Sequence, residues 1–193
     1  MFRELIDVIL PAMHDTLDDG SCSPRPLHIL EIGSGCGLLG ISLAAHGEKV
    51  ILTDPAFLFH DTTLQSDSDE SSINTLDHLQ NNIDLNANLL DGRAKAAKLL
   101  WGDETDIVNI QNLGPFDLVI GSELLYYVES FPALLETIRR LGVGGVPIIL
   151  GYKTRRLGEQ KFLDQANEHF EIVTDRLGRK HDGLFLATCT LKE

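Results

Sequence analysis

The chain has 193 residues, 43% of them hydrophobic and 23% charged, with a formal net charge of −13. That length suits one domain with a real core, and that charge argues against a protein built to grip a phosphate backbone, which carries a basic face. Three cysteines, Cys22, Cys36 and Cys189, are too few and too scattered for a disulfide framework or a CxxC metal pair, which suits a reducing compartment.

Phe2, Leu5, Ile6, Ile9 and Leu10 recur at helical spacing, so an amphipathic helix opens the chain and ends near Pro11. Its acidic residues do not suit a signal peptide. The longest mostly apolar run, residues 141–152, is shorter than the roughly 20 residues a membrane span needs. A cytoplasmic protein is expected, with the nucleus as a further location and no role at a membrane. Residues 15–26 are acidic, then rich in serine and proline, and read as a loop.

Residues 27–40 follow: a short apolar strand with an acidic residue near its end, a glycine-rich turn and the start of a helix. Glycine lets such a turn bring backbone close to a ligand, and the helix N-terminus behind it offers N–H groups and partial positive charge. Residues 38–46 read as the helix, closed by Gly47, and residues 49–54 as a second buried strand with an acidic end. Residues 55–72 dissolve into Ser, Thr and Asp and predict a flexible acidic insertion, with Ser71 or Ser72 capping the next helix. That helix runs from Ile73 to Asp91-Gly92. Residues 94–101 predict a third strand and residues 116–121 a fourth, followed by a helix over 131–141 with Ser130 as cap and Pro132 in its first turn. Residues 146–151 predict a fifth strand, and Lys161, Phe162, Leu163, Ala166 and Phe170 a helix. Residues 171–174 and 184–190 close the chain as an antiparallel pair.

This alternation predicts a single α/β domain over residues 1–193: a Rossmann-like, seven-stranded, mainly parallel sheet with an antiparallel C-terminal strand and helices on both faces. Ligands bind such sheets at the carboxyl ends of the strands. Glu31 and the glycines, Asp54, Trp101, Ser122 and Glu123 all fall just beyond such ends.

Gly35-Cys36-Gly37-Leu38-Leu39-Gly40 matches G-x-G-x-x-G, with Asp54 about 20 residues on, as in a dinucleotide fingerprint. The register argues otherwise. The strand ends at Ile32, so the first glycine of the turn is Gly33, and Leu38 then falls where the third glycine should be. Glu31 would repel a pyrophosphate but suits a ligand carrying an ammonium and a sulfonium.

Leu30-Glu31-Ile32-Gly33-Ser34-Gly35-Cys36-Gly37 resembles the S-adenosylmethionine-binding motif of the seven-β-strand methyltransferases, and more narrowly the family 16 protein lysine methyltransferases. Leu52-Thr53-Asp54, Leu79-Gln80-Asn81-Asn82-Ile83-Asp84-Leu85-Asn86, Leu100-Trp101-Gly102 and Ser122-Glu123-Leu124-Leu125-Tyr126-Tyr127 follow in the family's order. Within it, residues 126–130 are most similar to the type that methylates valosin-containing protein. The resemblance implies that Gly33, Ser34, Gly35 and Gly37 pass under the cofactor's amino-acid part and ribose. Glu31 would anchor the turn, or the cofactor's amine through water. Asp54 would accept from the ribose hydroxyls, Trp101 would lie at the adenine, and Ser122 would add backbone beside the methionyl group. Glu123 and Tyr126 would orient a lysine amine of a protein substrate, leaving S-adenosylhomocysteine as product. No metal is expected, since the seven histidines show no ligand spacing, and a monomer is expected. The family has Asp where Glu123 stands, and an upstream tryptophan that this sequence lacks.

Each residue also has a purely structural alternative: a plain turn for the glycines, a cap for Asp54, a core aromatic for Trp101, Tyr126 and Tyr127, a solvated charge for Glu123. A methyltransferase acting on a small molecule or another side chain, and a catalytically silent cofactor binder, stay open beside the lysine reading.

Overall fold

The computed structural model describes residues 10–17, 25–60, 72–155, 158–177 and 183–192. The chain's apolar strands run with both faces covered: β1 (His28–Ile32), β2 (Lys49–Asp54), β6 (Leu118–Ser122) and β7 (Ile148–Lys153) hold Ile29, Leu30, Leu52, Leu118, Val119 and Ile148 at no more than 1% exposure. Near-continuous burial of this kind is what a parallel sheet between two helical layers requires. The sheet has the order β5-β2-β1-β6-β7-β9-β8, with β5 (Ala94–Lys98) and β8 (Phe170–Leu177) at its edges. β9 (Leu184–Leu191) alone runs antiparallel, pairing with β7 on one side and β8 on the other. The expected seven-stranded architecture is present.

Successive side chains of a strand point to opposite faces, and the two cores follow that alternation. Leu30, Ile32, Val119, Ile148 and Leu150 meet α5 (Glu104–Gln111), α6 (Phe131–Leu141) and α7 (Glu159–Ala166). Phe131 and Phe162 meet edge to face in this layer, centroids 5.2 Å apart, each worth about 2–3 kcal/mol when buried. Ile29, Val50, Leu52, Leu118 and Ile120 meet α1 (Leu10–Leu17), α2 (Leu38–Ala45) and α3 (Thr75–Leu85) on the other face.

Several boundaries differ from the sequence expectation, each for a local reason. The opening helix does not stop at Pro11: α1 spans Leu10–Leu17, with Pro11 in its first described turn, and residues 1–9 lie outside the described residues. α1 is tied down by His14, whose Nε2 lies 2.8 Å from Oε1 of the buried Glu48. The base of the acidic insertion is ordered. β3 (Leu58–His60) pairs antiparallel with β4 (Ser72–Asn74), and residues 61–71 between them lie outside the described residues. The Ser71 expected as cap lies outside the described residues, and Ser72 falls within β4 instead of at the helix start. Asn74 caps α3, its Oδ1 accepting from the Leu76 N–H at 2.9 Å. The expected single helix is broken into α3 and a short α4 (Ala87–Leu90). Ser130 makes no capping bond to α6, and its hydroxyl instead donates to the Tyr127 carbonyl. α5 was not expected from its β-branched Ile107, Val108 and Ile110. Asp103 starts it, accepting from the Asp106 N–H at 2.8 Å. Phe170 opens β8 instead of closing a helix. Among the described residues no helix is long and apolar enough to cross a membrane.

Candidate active site

The order of the sheet sets where a ligand can enter. From β1 the chain steps outward to β2 and β5, then returns to the other side of β1 as β6 and β7. The carboxyl ends of β1 and β6 therefore form the topological switch point, where open α/β sheets bind ligands. The turn after β1 and the segment after β6 meet there.

The turn is made almost wholly by backbone. Gly33, Gly35 and Gly37 sit at φ +62°, +54° and +85°, a left-handed region that side-chain-bearing residues rarely adopt. The Ser34 N–H donates to the Thr53 carbonyl at 2.8 Å, the Thr53 N–H to Ser34 Oγ at 3.0 Å, and Thr53 Oγ1 to the Glu31 carbonyl at 2.8 Å. Ser34 thus stitches the turn to β2, together with Thr53, which the motif reading left without a role. Asn82 of α3 donates from Nδ2 to the Cys36 carbonyl at 2.8 Å and holds the turn from the other side.

Glu31 shares a face of β1 with Ile29 and points under α2. Its Oε2 accepts from the Gly40 N–H at 3.0 Å, and the residue is 2% exposed. That bond ties the end of β1 to α2. A Cβ on Gly40 would lie 2.5 Å from that oxygen and 2.6 Å from Leu52 Cδ2. The glycine that completed the misleading G-x-G-x-x-G match is therefore there to admit Glu31. Burial pushes the Glu31 carboxyl from 4.5 up to about 7, against the opposing hydrogen bonds from Ser34 and Gly40.

Asp54 closes β2 with its Oδ2 accepting from the Gly35 N–H at 2.9 Å, and burial raises its carboxyl above the ordinary value. It stands next to the one glycine of the turn with no atom within 4 Å of its Cβ direction. The Cβ direction of Gly33 is taken instead, by Leu124 Cδ2 at 2.6 Å and Trp101 Cζ2 at 3.1 Å. Trp101 is half-buried against the core, and its indole Nε1 is buried with no hydrogen-bond acceptor among the described residues. Gly102 next to it is fixed by its N–H donating to Thr137 Oγ1 at 2.9 Å.

Across the switch point, Ser122 ends β6 half-buried, paired in register with Gly151. Glu123 follows at φ +60°, its N–H donating to the Gly151 carbonyl at 2.7 Å. Leu124 and Leu125 turn inward to 5% and 3% exposure, while Tyr126 and Tyr127 stand out at 61% and 57%. The core alternative for the two tyrosines therefore fails. The carboxylate of Glu123 meets the guanidinium of Arg155, which follows β7. Nothing in the sequence motifs pointed to Arg155, because its partner is reached only through the pairing of β6 with β7.

Glu31, Gly33, Ser34, Gly35, Gly37 and Asp54 thus form a floor, with Trp101 and Leu124 over Gly33, and Ser122, Glu123 and Tyr126 form a rim. A doubly wound sheet with one reversed strand and an acidic glycine turn at its switch point defines the Rossmann-like methyltransferase class. A TehB-like SAM-dependent methyltransferase from Corynebacterium glutamicum shares the fold, at a TM-score of 0.59 and 17% identity over 98% of this chain and 97% of that one. A lysine methyltransferase family profile matches residues 8–169, and the chain belongs to that family. It is 29% identical to protein N-lysine methyltransferase METTL21A of Danio rerio over 161 residues, 81% of this chain and 63% of that protein. It is 30% identical to EEF1A lysine methyltransferase 3 of Mus musculus over 150 residues, 77% of this chain and 55% of that protein. The chain spans less than two thirds of the length of either curated relative.

Proposed function

We propose that this protein binds S-adenosylmethionine at the floor and transfers its methyl group to a lysine side chain of a protein substrate brought to the rim. The observation that carries the reading is the meeting of the acidic glycine turn with an acidic, aromatic edge at the switch point of the sheet: Gly35 and Asp54 on one side, Glu123 and the exposed Tyr126 on the other. The residues fit such a cofactor. The space above Gly35 is open, Asp54 offers a carboxylate beside it, and the buried indole N–H of Trp101 lacks an acceptor. When bound, the cofactor supplies a sulfonium-activated methyl group and is left as S-adenosylhomocysteine.

The chain's own part is binding and positioning. Asp54 holds ribose hydroxyls, while the turn backbone and the N-terminus of α2 hold the amino-acid part. Glu123 attracts the lysine cation, and the face of Tyr126 adds cation–π attraction before the proton leaves. Partial burial at the rim favours the neutral amine, the form with a lone pair to donate. Alignment of nitrogen with the methyl carbon is then worth several orders of magnitude in rate. We further read the protein as a cytoplasmic and nuclear monomer, acting without nucleic acid or membrane. The net charge of −13 supports a basic protein partner over a phosphate backbone.

The test is incubation of the purified protein with methyl-labelled cofactor and cell lysate, then mass spectrometry of the labelled bands. Label on protein lysines is the expected result, abolished by Asp54→Ala through lost cofactor binding. Label confined to small metabolites overturns the lysine reading, and cofactor binding without any labelling identifies a silent binder.

A further inference from the structure

Arg155 belongs to no motif, yet it is the residue that meets the carboxylate of Glu123. Glu123 holds a left-handed backbone conformation, which persists in a side-chain-bearing residue only where its surroundings fix it. The Glu123 N–H bond to Gly151 fixes that backbone, but the carboxylate hangs beyond it on three freely rotating bonds. Arg155 removes that freedom. Its guanidinium forms an ion pair, without hydrogen-bond geometry, with Oε2, the buried oxygen of the carboxylate, while the Glu123 side chain as a whole stays 32% exposed.

Arg155 is itself held from behind. Its backbone N–H donates to Oε1 of Glu159 at 2.6 Å, and Glu159 is 4% exposed in the first turn of α7. Gly158, beside it, packs against the turn that carries the rim: a Cβ there would lie 2.9 Å from Val128 Cγ2. The start of α7 thus braces Arg155, and Arg155 braces Glu123 across the gap between β7 and β6.

We propose that Arg155 is a positioning residue: it pins Oε2 of Glu123, so that Oε1 is presented to the incoming lysine amine. This rests on the lysine-methylation reading above. A guanidinium suits the task because it is permanently charged and planar.

The experiment compares Arg155→Gln and Arg155→Lys in the wild-type and Glu123→Asp backgrounds, measuring kcat and KM on the labelled protein substrate and cofactor affinity by calorimetry. Arg155→Gln should lower kcat/KM about tenfold or more while leaving cofactor affinity within about twofold. Arg155→Lys should recover most of the loss. In the Glu123→Asp background the penalty should shrink to about twofold, because the shorter side chain has one torsion fewer to restrain and no longer reaches the guanidinium. An equal penalty in both backgrounds, or a rise in kcat/KM in Arg155→Gln, overturns the proposal; the rise would mean that Arg155 competes with the lysine. Nitrogen NMR of the Arg155 guanidinium supplies a readout independent of turnover. Slowed rotation in the wild type should be lost in Glu123→Gln, and free rotation in the wild type rules out the pin. A wild-type protein that labels no lysine removes the methylation reading, while the guanidinium signal still reports whether the pin exists.

Discussion

The floor and the rim of the site are built on opposite plans. In the floor, polar side chains turn inward: Glu31 accepts from Gly40, Ser34 and Thr53 bond across to each other's backbone, and Asp54 accepts from Gly35. The surface of the turn itself is mostly backbone, with the Asp54 carboxylate beside it. In the rim, Leu124 and Leu125 anchor the segment inside, Glu123 is half-buried at φ +60°, and Tyr126 and Tyr127 reach outward. On the reading proposed above, the floor would serve the cofactor through its turn and the rim would select the acceptor through its side chains. Substitutions in the floor should therefore cost stability first, and substitutions in the rim should cost activity alone.

Gly40→Val is the largest expected break. Its Cβ would fall within 2.6 Å of both Glu31 and Leu52, two groups with no room to retreat. Overpacking of this kind destabilises by about 3 kcal/mol, read as a lower midpoint in urea unfolding. An unchanged midpoint would show that the floor yields, against the contrast drawn above. Glu31→Gln should come next. Burial lifts the Glu31 carboxyl from 4.5 to about 7, so between those values the folded chain holds more proton than the unfolded one. Its contribution to stability therefore falls as pH rises through that window. The glutamine variant, which does not titrate, should lose that decline and be about 3 kcal/mol more stable relative to wild type at pH 8 than at pH 4.5. Parallel stability profiles for the two proteins would mean that Glu31 titrates alike in the folded and unfolded chains, so that burial does not raise its carboxyl. The smallest effect on stability is expected at the rim: Tyr126→Ala should move it by less than about 0.5 kcal/mol, as for other exposed positions. The same substitution should lower lysine methylation about tenfold or more at unchanged cofactor affinity, and a thermal shift together with a methyl-transfer assay reads both. A large stability loss there would merge rim and floor into one unit.

Much of this was legible because it is local. The apolar runs gave the strands, and the acidic glycine turn after β1 marked one end of the sheet as the ligand end. Counting the turn from Ile32 singled out Glu31 before any side chain was placed. What stayed hidden depended on distant pairings. Thr53 is unremarkable in sequence and gains its role only because β2 lies in register beside β1, with Ile32 opposite Thr53. Gly40 looked like a fingerprint glycine until Glu31 was seen beneath it. α5 was missed since its β-branched residues disfavour a helix, and the core contacts of Ile107 and Ile110 outweigh that local preference.

The sequence by itself determined the periodicity of the elements, the chemistry of the turn and the placing of Glu123 and Tyr126 after a buried strand, because these follow from residues adjacent in the chain. Only the tertiary structure decided which carboxylates are occupied. Asp54 is bound to Gly35, Glu31 to Gly40 and Glu123 to Arg155, across 19, 9 and 32 positions of chain respectively. Such partners are chosen by strand order and helix packing, which bring remote segments together through the burial of apolar surface. Nothing in the residues next to a carboxylate specifies which remote group that burial will deliver.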